Sequence, residues 1–182
     1  MSFSIVILAA GQSRRILSKT SKILHKVAGL SVIEHVQKIA KSLNPYQIIT
    51  VVSPDLKDIF PDAVIQNLPK GTGDALRCAM PYVQSERVLV LCGDVPLWEN
   101  TFLQDLLRYD MAVLSMVIGD LTAPYGRLIL ENEKVRCIQE FKEASDQEKK
   151  IAFANTGIGI FRTDFLKTYL PHLKDHDGEF YL

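Results

Sequence analysis

A turn of small residues followed by clustered basic side chains gives the sequence its strongest chemical signal. The segment Leu8-Ala9-Ala10-Gly11 ends an apolar run, and four basic residues follow it: Arg14, Arg15, Lys19 and Lys22. Small residues let the backbone approach a ligand closely, so that its N–H groups can surround phosphate oxygens. The pattern predicts a nucleoside triphosphate site, although a glycine turn with solvated basic residues fits equally well. It matches neither GxGxxG nor GxxxxGK[ST], so neither a Rossmann dinucleotide site nor a P-loop is indicated.

Two further polar features could serve a nucleotide. Asp94 follows a strand-like run over residues 88–92, and a carboxylate there could ligate Mg²⁺ together with phosphate oxygens. Gln66 and the Gly71-Thr72-Gly73 segment could contact a flat base, because a glutamine amide offers both a donor and an acceptor. Structural roles stay open for both features, with Asp94 in an ordinary turn and Thr72 as a helix N-cap.

Polar residues in the second half of the chain suit the hydroxyl groups and acetamide of a sugar. They are Tyr125, Gly126, Arg127, Glu140, Asn155, Thr156 and Gly157. Each is a weak signal alone, because glycine turns, surface glutamates and asparagine turns are common.

The elements that must position these residues alternate between strand and helix. Strands are predicted over residues 3–9, 48–52, 63–66, 87–92 and 111–118. Helices are predicted after the capping-box pair Ser31 and Glu34, and over residues 73–83 and 101–108. This order predicts an α/β fold with a largely parallel sheet. From residue 124 we expect a hairpin with its turn at 131–134, a polar helical stretch over 143–150, a strand over 153–161 and a helix over 163–170.

The composition excludes several classes of protein. The 21 Lys and Arg residues balance 21 Asp and Glu residues, which argues against a nucleic-acid binder and a polybasic membrane binder. A hydrophobic content of 47% is typical of a globular domain. No apolar run approaches the roughly 18–20 residues that a membrane helix needs. The 3 cysteines form no CxxC pair, so we expect a reduced, cytoplasmic protein without a zinc site.

Taken in order, these motifs resemble the nucleotide-sugar pyrophosphorylases. They are most similar to the N-terminal uridylyltransferase domain of the bifunctional N-acetylglucosamine-1-phosphate uridylyltransferase/glucosamine-1-phosphate acetyltransferases. The matching stretches cover nearly the whole chain: residues 7–11, 22–29, 71–73, 93–97, 125–127, 138–142, 155–157 and 178–182. The most specific one contains Lys22, Leu24, His25 and Gly29, and it separates this family from the molybdopterin guanylyltransferases, which share the opening Leu-Ala-Ala-Gly.

The resemblance implies a Rossmann-like, mostly parallel mixed sheet with helices on both faces. It implies one domain over residues 1–182, with a nucleotide-binding half over about 1–120 and a sugar-binding half over about 121–182. The implied reaction makes UDP-N-acetylglucosamine and pyrophosphate from UTP and N-acetylglucosamine 1-phosphate, with Mg²⁺ as cofactor. It would be a cytoplasmic step that feeds peptidoglycan and other cell-envelope polysaccharides, without a nucleic-acid or membrane partner. A guanylyl- or cytidylyltransferase and a non-catalytic nucleotide-binding remnant stay open as alternatives, as does the oligomeric state.

The resemblance also implies a role for each site residue. The residues that would contact the nucleotide are Leu8, Ala9, Ala10 and Gly11, and those that would select uracil are Gln66, Gly71 and Thr72. The catalytic residues that neutralise the triphosphate would be Arg15 and Lys22, and the Mg²⁺ ligand would be Asp94. The residues that would bind the sugar phosphate are Gly126, Glu140 and Asn155.

The sequence departs from the family pattern in three places. Ser13 and Arg14 stand where the family usually has glycine and a small hydroxyl residue, and Ser21 stands where it usually has proline. The family's domain also continues past the stretch 178–182, where a second Mg²⁺ ligand and part of the sugar pocket would lie. We therefore expect a C-terminally truncated domain that retains metal and substrate more weakly than a full-length relative.

Overall fold

The computed structural model describes residues 2–11, 18, 20–173 and 180. They divide into two compact units, the first drawn from Met1–Ala112 with Gly159–Leu182 and the second from Val113–Ile158. The helices and strands, in chain order, are β1 (Phe3–Ala9), β2 (Lys26–Val27), β3 (Leu30–Ser31), α1 (Val32–Ser42), β4 (Gln47–Val52), β5 (Val64–Ile65), α2 (Gly71–Ala79), β6 (Arg87–Cys92), α3 (Asn100–Leu106), β7 (Ala112–Val117), β8 (Arg127–Glu131), β9 (Lys134–Gln139), β10 (Phe153–Arg162) and α4 (Thr163–Tyr169).

Parallel pairing in the first unit brings the ends of four strands to one edge. The order is β5-β4-β1-β6, and each neighbouring pair is parallel. Leu8 of β1 is in register with both Val51 and Cys92. Beyond β6, the end of β10 pairs antiparallel through Gly159–Arg162. The carboxyl ends of the parallel strands therefore meet where open α/β sheets bind their ligands.

Helices cover both faces of this sheet. Alternate residues of β1, β4 and β6 pack with α2 and α4 in one core cluster, while Ala9 and Val52 pack with Ile33 of α1 in another. Strands buried on both faces need continuous apolar sequence, as in Ile5-Val6-Ile7, which is fully buried. The predicted α/β class, with a mixed sheet and helices on both faces, is confirmed.

The second unit is built on the predicted hairpin. β8 and β9 pair antiparallel, and the two residues between them, Asn132 and Glu133, have φ values of 50° and 62°. Positive φ at both central positions is typical of a type I′ hairpin turn. β10 pairs antiparallel with β8 at Ala154 and Arg127, and it also pairs with β7.

Two helix predictions need correction. The helix predicted over 73–83 begins at Gly71 and ends at Ala79, where a 3-10 turn at Met80–Tyr82 replaces it. Pro81 in that turn has no N–H to continue the α-helical ladder. The helical stretch predicted over 143–150 is wrong except for a single 3-10 turn at Glu148–Lys150.

In the described part of the chain, no helix combines the length and the apolar character needed to cross a membrane.

The N-terminus of α1 carries the predicted capping box. The amide N–H of Glu34 donates to Ser31 Oγ at 3.4 Å, and the amide N–H of Ser31 donates to Glu34 Oε2 at 2.6 Å. Since an N-cap side chain typically contributes about 1 kcal/mol, Ser31→Ala should lower the free energy of unfolding by that amount in urea denaturation. Ser53→Ala is the matched control, because Ser53 precedes a 3-10 turn but makes no capping bond. Equal losses in the two variants would contradict the capping role.

Candidate nucleotide-binding site

A cavity of about 270 Å³ lies in the first unit at the carboxyl ends of the parallel strands. The predicted site residues that line it are Leu8, Ala9, Ala10, Gly11, Lys22, Gln66, Gly71, Thr72 and Asp94. Four residues that were not predicted also line it: Ile23, Pro69, Ala75 and Cys92. The predicted catalytic residue Arg15 lies outside the described residues, as do Arg14 and Lys19. The structure thus brings to one cavity every described residue to which the resemblance assigns a nucleotide or metal role, whereas Gly73 does not line it.

The ends of strands β1 and β6 pack closely beside this cavity. The amide N–H of Gly93 donates to the carbonyl oxygen of Leu8 at 2.8 Å. A Cβ atom added at Gly93 would lie 2.8 Å from Ala9 Cβ, closer than real Cβ atoms approach one another. Gly93 therefore permits the end of β6 to approach β1 closely, and the next residue, Asp94, lines the cavity.

An ion pair joins the two charged side chains that line the cavity. Lys22, presented by a 3-10 turn at Lys22–Leu24, places its Nζ 2.5 Å from Asp94 Oδ2. The Lys22 and Asp94 side chains are 28% and 37% exposed, so both remain within reach of a ligand. The ammonium offsets the carboxylate charge that an incoming triphosphate would otherwise meet. This direct pairing was not predicted, because the sequence motifs assign the two residues separate tasks.

The side chain of Cys92, which lines the cavity, is poorly suited to act as a nucleophile. Burial, together with the nearby Asp94 carboxylate, raises the pKa of Cys92 to about 12. The thiolate is the reactive form of cysteine, and almost none is present at neutral pH with such a pKa. A covalent intermediate on Cys92 is therefore not favoured.

Gln66, which also lines the cavity, is held by the first turn of α2. Its side chain is buried, and its Nε2 donates to Gly71 O at 3.2 Å and to Asp74 Oδ2 at 2.7 Å. Thr72 lies inside the helix, since α2 begins at Gly71 and Lys70 occupies the N-cap position. The alternative of Thr72 as the N-cap is therefore wrong, and its place in the first turn leaves it lining the cavity.

Phe180 joins the backbone around Gly71. Its N–H donates to Lys70 O, and its carbonyl accepts from the N–H of Gly73, both at 2.8 Å. Gly71 has a φ of +86°, and an added Cβ would lie 2.9 Å from Phe180 N, so glycine is needed here on both counts. Motif reasoning missed both Phe180 and Asp74 as supports of the site. The only signal for Asp74 was its spacing of three residues from Arg77 on a helix.

The predicted sugar-phosphate residues come together in the second unit. The amide N–H of Asn155 donates to Gly126 O at 2.8 Å, and a Cβ at Gly126 would lie 3.3 Å from Glu140 Oε1. Asn155 Oδ1 accepts from the N–H of Gly157 at 3.0 Å. These contacts show that Gly126, Glu140 and Asn155 are neighbours, although they are far apart in sequence.

Arg127, in contrast, supports the structure of the second unit. Its side chain is fully buried, and its guanidinium donates to the carbonyl oxygens of Leu121, Ala123 and Tyr125. The guanidinium carbon also lies 4.9 Å from the centre of the Phe141 ring. The expectation that Arg127 could meet a sugar is therefore wrong, because its donors are used to hold the loop before Gly126.

The donor set of the cavity fits a magnesium ion that arrives with a nucleotide. Asp94 supplies a carboxylate at the cavity, and the described residues contain no group of three or more His, Cys, Asp or Glu side chains that could hold a metal by themselves. Mg²⁺ commonly takes one or two carboxylates and completes its octahedron with phosphate oxygens and water. Among the described residues that line the cavity, Asp94 is thus the one that would hold the ion.

The chain is of the nucleotidyltransferase class, as its family shows, and the sheet topology and the cavity agree with that class. The family described as the MobA-like NTP transferase domain matches residues 5–153, and the chain belongs to that family.

Curated relatives confirm the resemblance seen in the motifs. The bifunctional protein GlmU of Oenococcus oeni is 35% identical over 98% of this chain, and that of Stutzerimonas stutzeri is 37% identical over 100%. The chain spans 44% and 43% of the length of these two relatives.

A solved structure agrees at the level of the fold. A protein of Bacillus anthracis, assigned as a glucose-1-phosphate thymidylyltransferase, superposes with a TM-score of 0.78. The alignment covers 97% of this chain and 78% of that one, with 20% sequence identity. At this identity the likeness concerns the fold alone.

Proposed function

We propose that this chain transfers a uridylyl group from UTP to N-acetylglucosamine 1-phosphate and releases pyrophosphate. The observation that carries the proposal is that one cavity is lined both by the Lys22–Asp94 pair and by Gln66 and Gly71. Such a cavity offers charge to a triphosphate and polar groups to a base. The family resemblance of the motifs implies a sugar phosphate as the acceptor and uracil as the base, and the similarity to the GlmU proteins supports that resemblance.

The proposed reaction is an in-line displacement between the two bound substrates. A phosphate oxygen of the sugar phosphate attacks the α-phosphorus of UTP, and a new P–O bond forms as the bond to pyrophosphate breaks. The leaving pyrophosphate keeps the electron pair of that bond. Lys22 would stabilise the negative charge that accumulates on the phosphate oxygens, and Arg15 would add a second positive charge. The backbone of Ala9, Ala10 and Gly11 would orient the triphosphate.

The proposal also assigns residues to the metal ion and to the sugar phosphate, and a cellular location to the reaction. Asp94 would hold Mg²⁺, which supplies charge neutralisation at the phosphates when it is bound. Gly126, Glu140 and Asn155 would bind the sugar phosphate. The product would enter cell-envelope polysaccharides such as peptidoglycan, and the reaction would take place in the cytoplasm.

The test is pyrophosphate release by the purified chain in the presence of Mg²⁺. We expect release only when UTP and N-acetylglucosamine 1-phosphate are both present, and less release when CTP or GTP replaces UTP. Asp94→Ala provides the background rate, since it removes the only cavity carboxylate among the described residues. Release no faster than this background would point to a nucleotide-binding remnant. A preference for GTP or CTP would point to the related transferases.

A further inference from the structure

The side-chain amide of Gln66 has a determined orientation. Its two described partners, Gly71 O and an Asp74 carboxylate oxygen, are both hydrogen-bond acceptors. Only the NH₂ end of the amide can donate to them, because a rotation by 180° would set the amide oxygen against two acceptors. The contacts therefore require Nε2 on the side of α2 and leave Oε1 on the opposite side of the amide.

The amide oxygen is the atom of Gln66 that a ligand can use. Among the residues that the structure describes, none donates a hydrogen bond to Oε1, and the atom is not a buried, unsatisfied acceptor. Gln66 lines the cavity. An acceptor in this place favours a base whose ring edge carries an imino N–H. Uracil carries such a donor at N3, whereas cytosine has a lone pair at N3 and would place two acceptors together.

Asp74 is itself held in place by Arg77. One carboxylate oxygen accepts from Gln66 Nε2, while the other pairs with Arg77 Nη2 three residues along α2. The Asp74 side chain is only 13% exposed. The Arg77 guanidinium carbon in turn lies 4.9 Å from the centre of the Phe180 ring. Phe180, Arg77 and Asp74 thus form a connected support that ends on the amide of Gln66.

We propose that Asp74 is a positioning residue that sets base selectivity by fixing the amide of Gln66 with its oxygen available to the base. Asp74 does not line the cavity, so it acts through Gln66 and not by contact with the nucleotide. The proposal rests on the proposed uridylyl transfer, since it assigns the structural source of the preference for uracil. It predicts that the loss of Asp74 changes which base is accepted more than how fast the bound substrate reacts.

The test compares UTP with CTP in Asp74→Ala. Without the carboxylate, Gly71 O at 3.2 Å is the remaining described acceptor, so the amide can rotate and offer its NH₂ group to N3 of cytosine. We expect the ratio of kcat/KM for UTP to that for CTP to fall about tenfold or more, and kcat with UTP to change less than this ratio. Asp74→Asn keeps one acceptor oxygen and should retain an intermediate ratio. It also serves if the alanine variant folds poorly.

Asp105→Ala is the matched control, because Asp105, in the last turn of α3, pairs with an arginine three residues along the chain, Arg108, but is 62% exposed. This control should keep the wild-type ratio. If the wild type prefers UTP and Asp74→Ala keeps that preference, the role of Asp74 is contradicted while the proposed function stands. If the wild type accepts CTP as readily as UTP, both proposals are overturned.

Discussion

Replacing Asp94 with asparagine should lower turnover about 100- to 1,000-fold while leaving the protein folded. Among the described groups that line the cavity, the Asp94 carboxylate is the one that can hold Mg²⁺ next to the phosphates. A neutral amide binds such an ion far less strongly. The electrostatic stabilisation lost in such a change is worth about 3–4 kcal/mol in the transition state.

The fold should tolerate this change because of where the ion pair lies. The Lys22 and Asp94 side chains are both more than a quarter exposed, and pairs of this kind contribute about 0–1 kcal/mol to stability. Turnover and the melting temperature should therefore separate, with kcat reduced and Tm nearly unchanged. Lys22→Ala should reduce kcat on a similar scale, because Asp94 would then face the triphosphate without its counter-charge.

The measurement is pyrophosphate release at saturating substrate, paired with thermal unfolding of the same samples. Asp55→Asn is the matched control, since Asp55 is an exposed acid that follows β4, another parallel strand of the same sheet, without lining the cavity. It removes the same charge and should leave kcat unchanged. Wild-type turnover by Asp94→Asn would exclude Asp94 from the reaction, and equal losses in both variants would indicate a general effect of charge.

The largest expected effect on stability comes from Arg127→Met in the second unit. Arg127 is fully buried, and it donates to the carbonyl oxygens of Leu121 at 2.8 Å, Ala123 at 3.2 Å and Tyr125 at 2.5 Å. Methionine fills much of the same volume but provides no donors, so these carbonyl oxygens lose the charged partner that the buried Arg127 side chain gives them. We expect a loss of about 3–5 kcal/mol in the free energy of unfolding.

Urea denaturation gives that free energy, and hydrogen exchange of β8 and β9 reports whether the loss is local to the hairpin. Arg136→Met is the control from the same hairpin. Arg136 is 67% exposed, and its pair with Glu131 is long at 3.9 Å, so its removal should cost less than about 0.5 kcal/mol. A small loss at Arg127, similar to that at Arg136, would show that the buried guanidinium does not hold the loop before Gly126.

Much of the candidate nucleotide site could be predicted from the sequence because several of its residues lie at the ends of strands. Asp94 follows the apolar run 87–92, and Gly11 follows the run that ends at Ala9. The runs predict buried parallel strands, and parallel strands place their carboxyl ends at one edge of the sheet. Local patterns and one topological rule were therefore sufficient to bring these residues together.

The supports of the site follow no such rule. Phe180 reaches the backbone at Lys70 and Gly73 from more than 100 residues away, and no local pattern marks that contact. Arg127 is a further example, since an arginine in a polar segment suggests exposure. Burial became favourable only because several backbone carbonyls converge on its guanidinium.

By itself, the sequence determined the α/β class, the strands that end at the cavity and most of the residues that line it. These features depend on hydrophobic periodicity and on short motifs, which act over a few neighbouring residues. Only the tertiary structure decided that Lys22 pairs with Asp94, that Asp74 orients the amide of Gln66 and that Arg127 is buried. Each of these depends on the distance and direction between side chains on different elements, and such geometry exists only once the elements have packed.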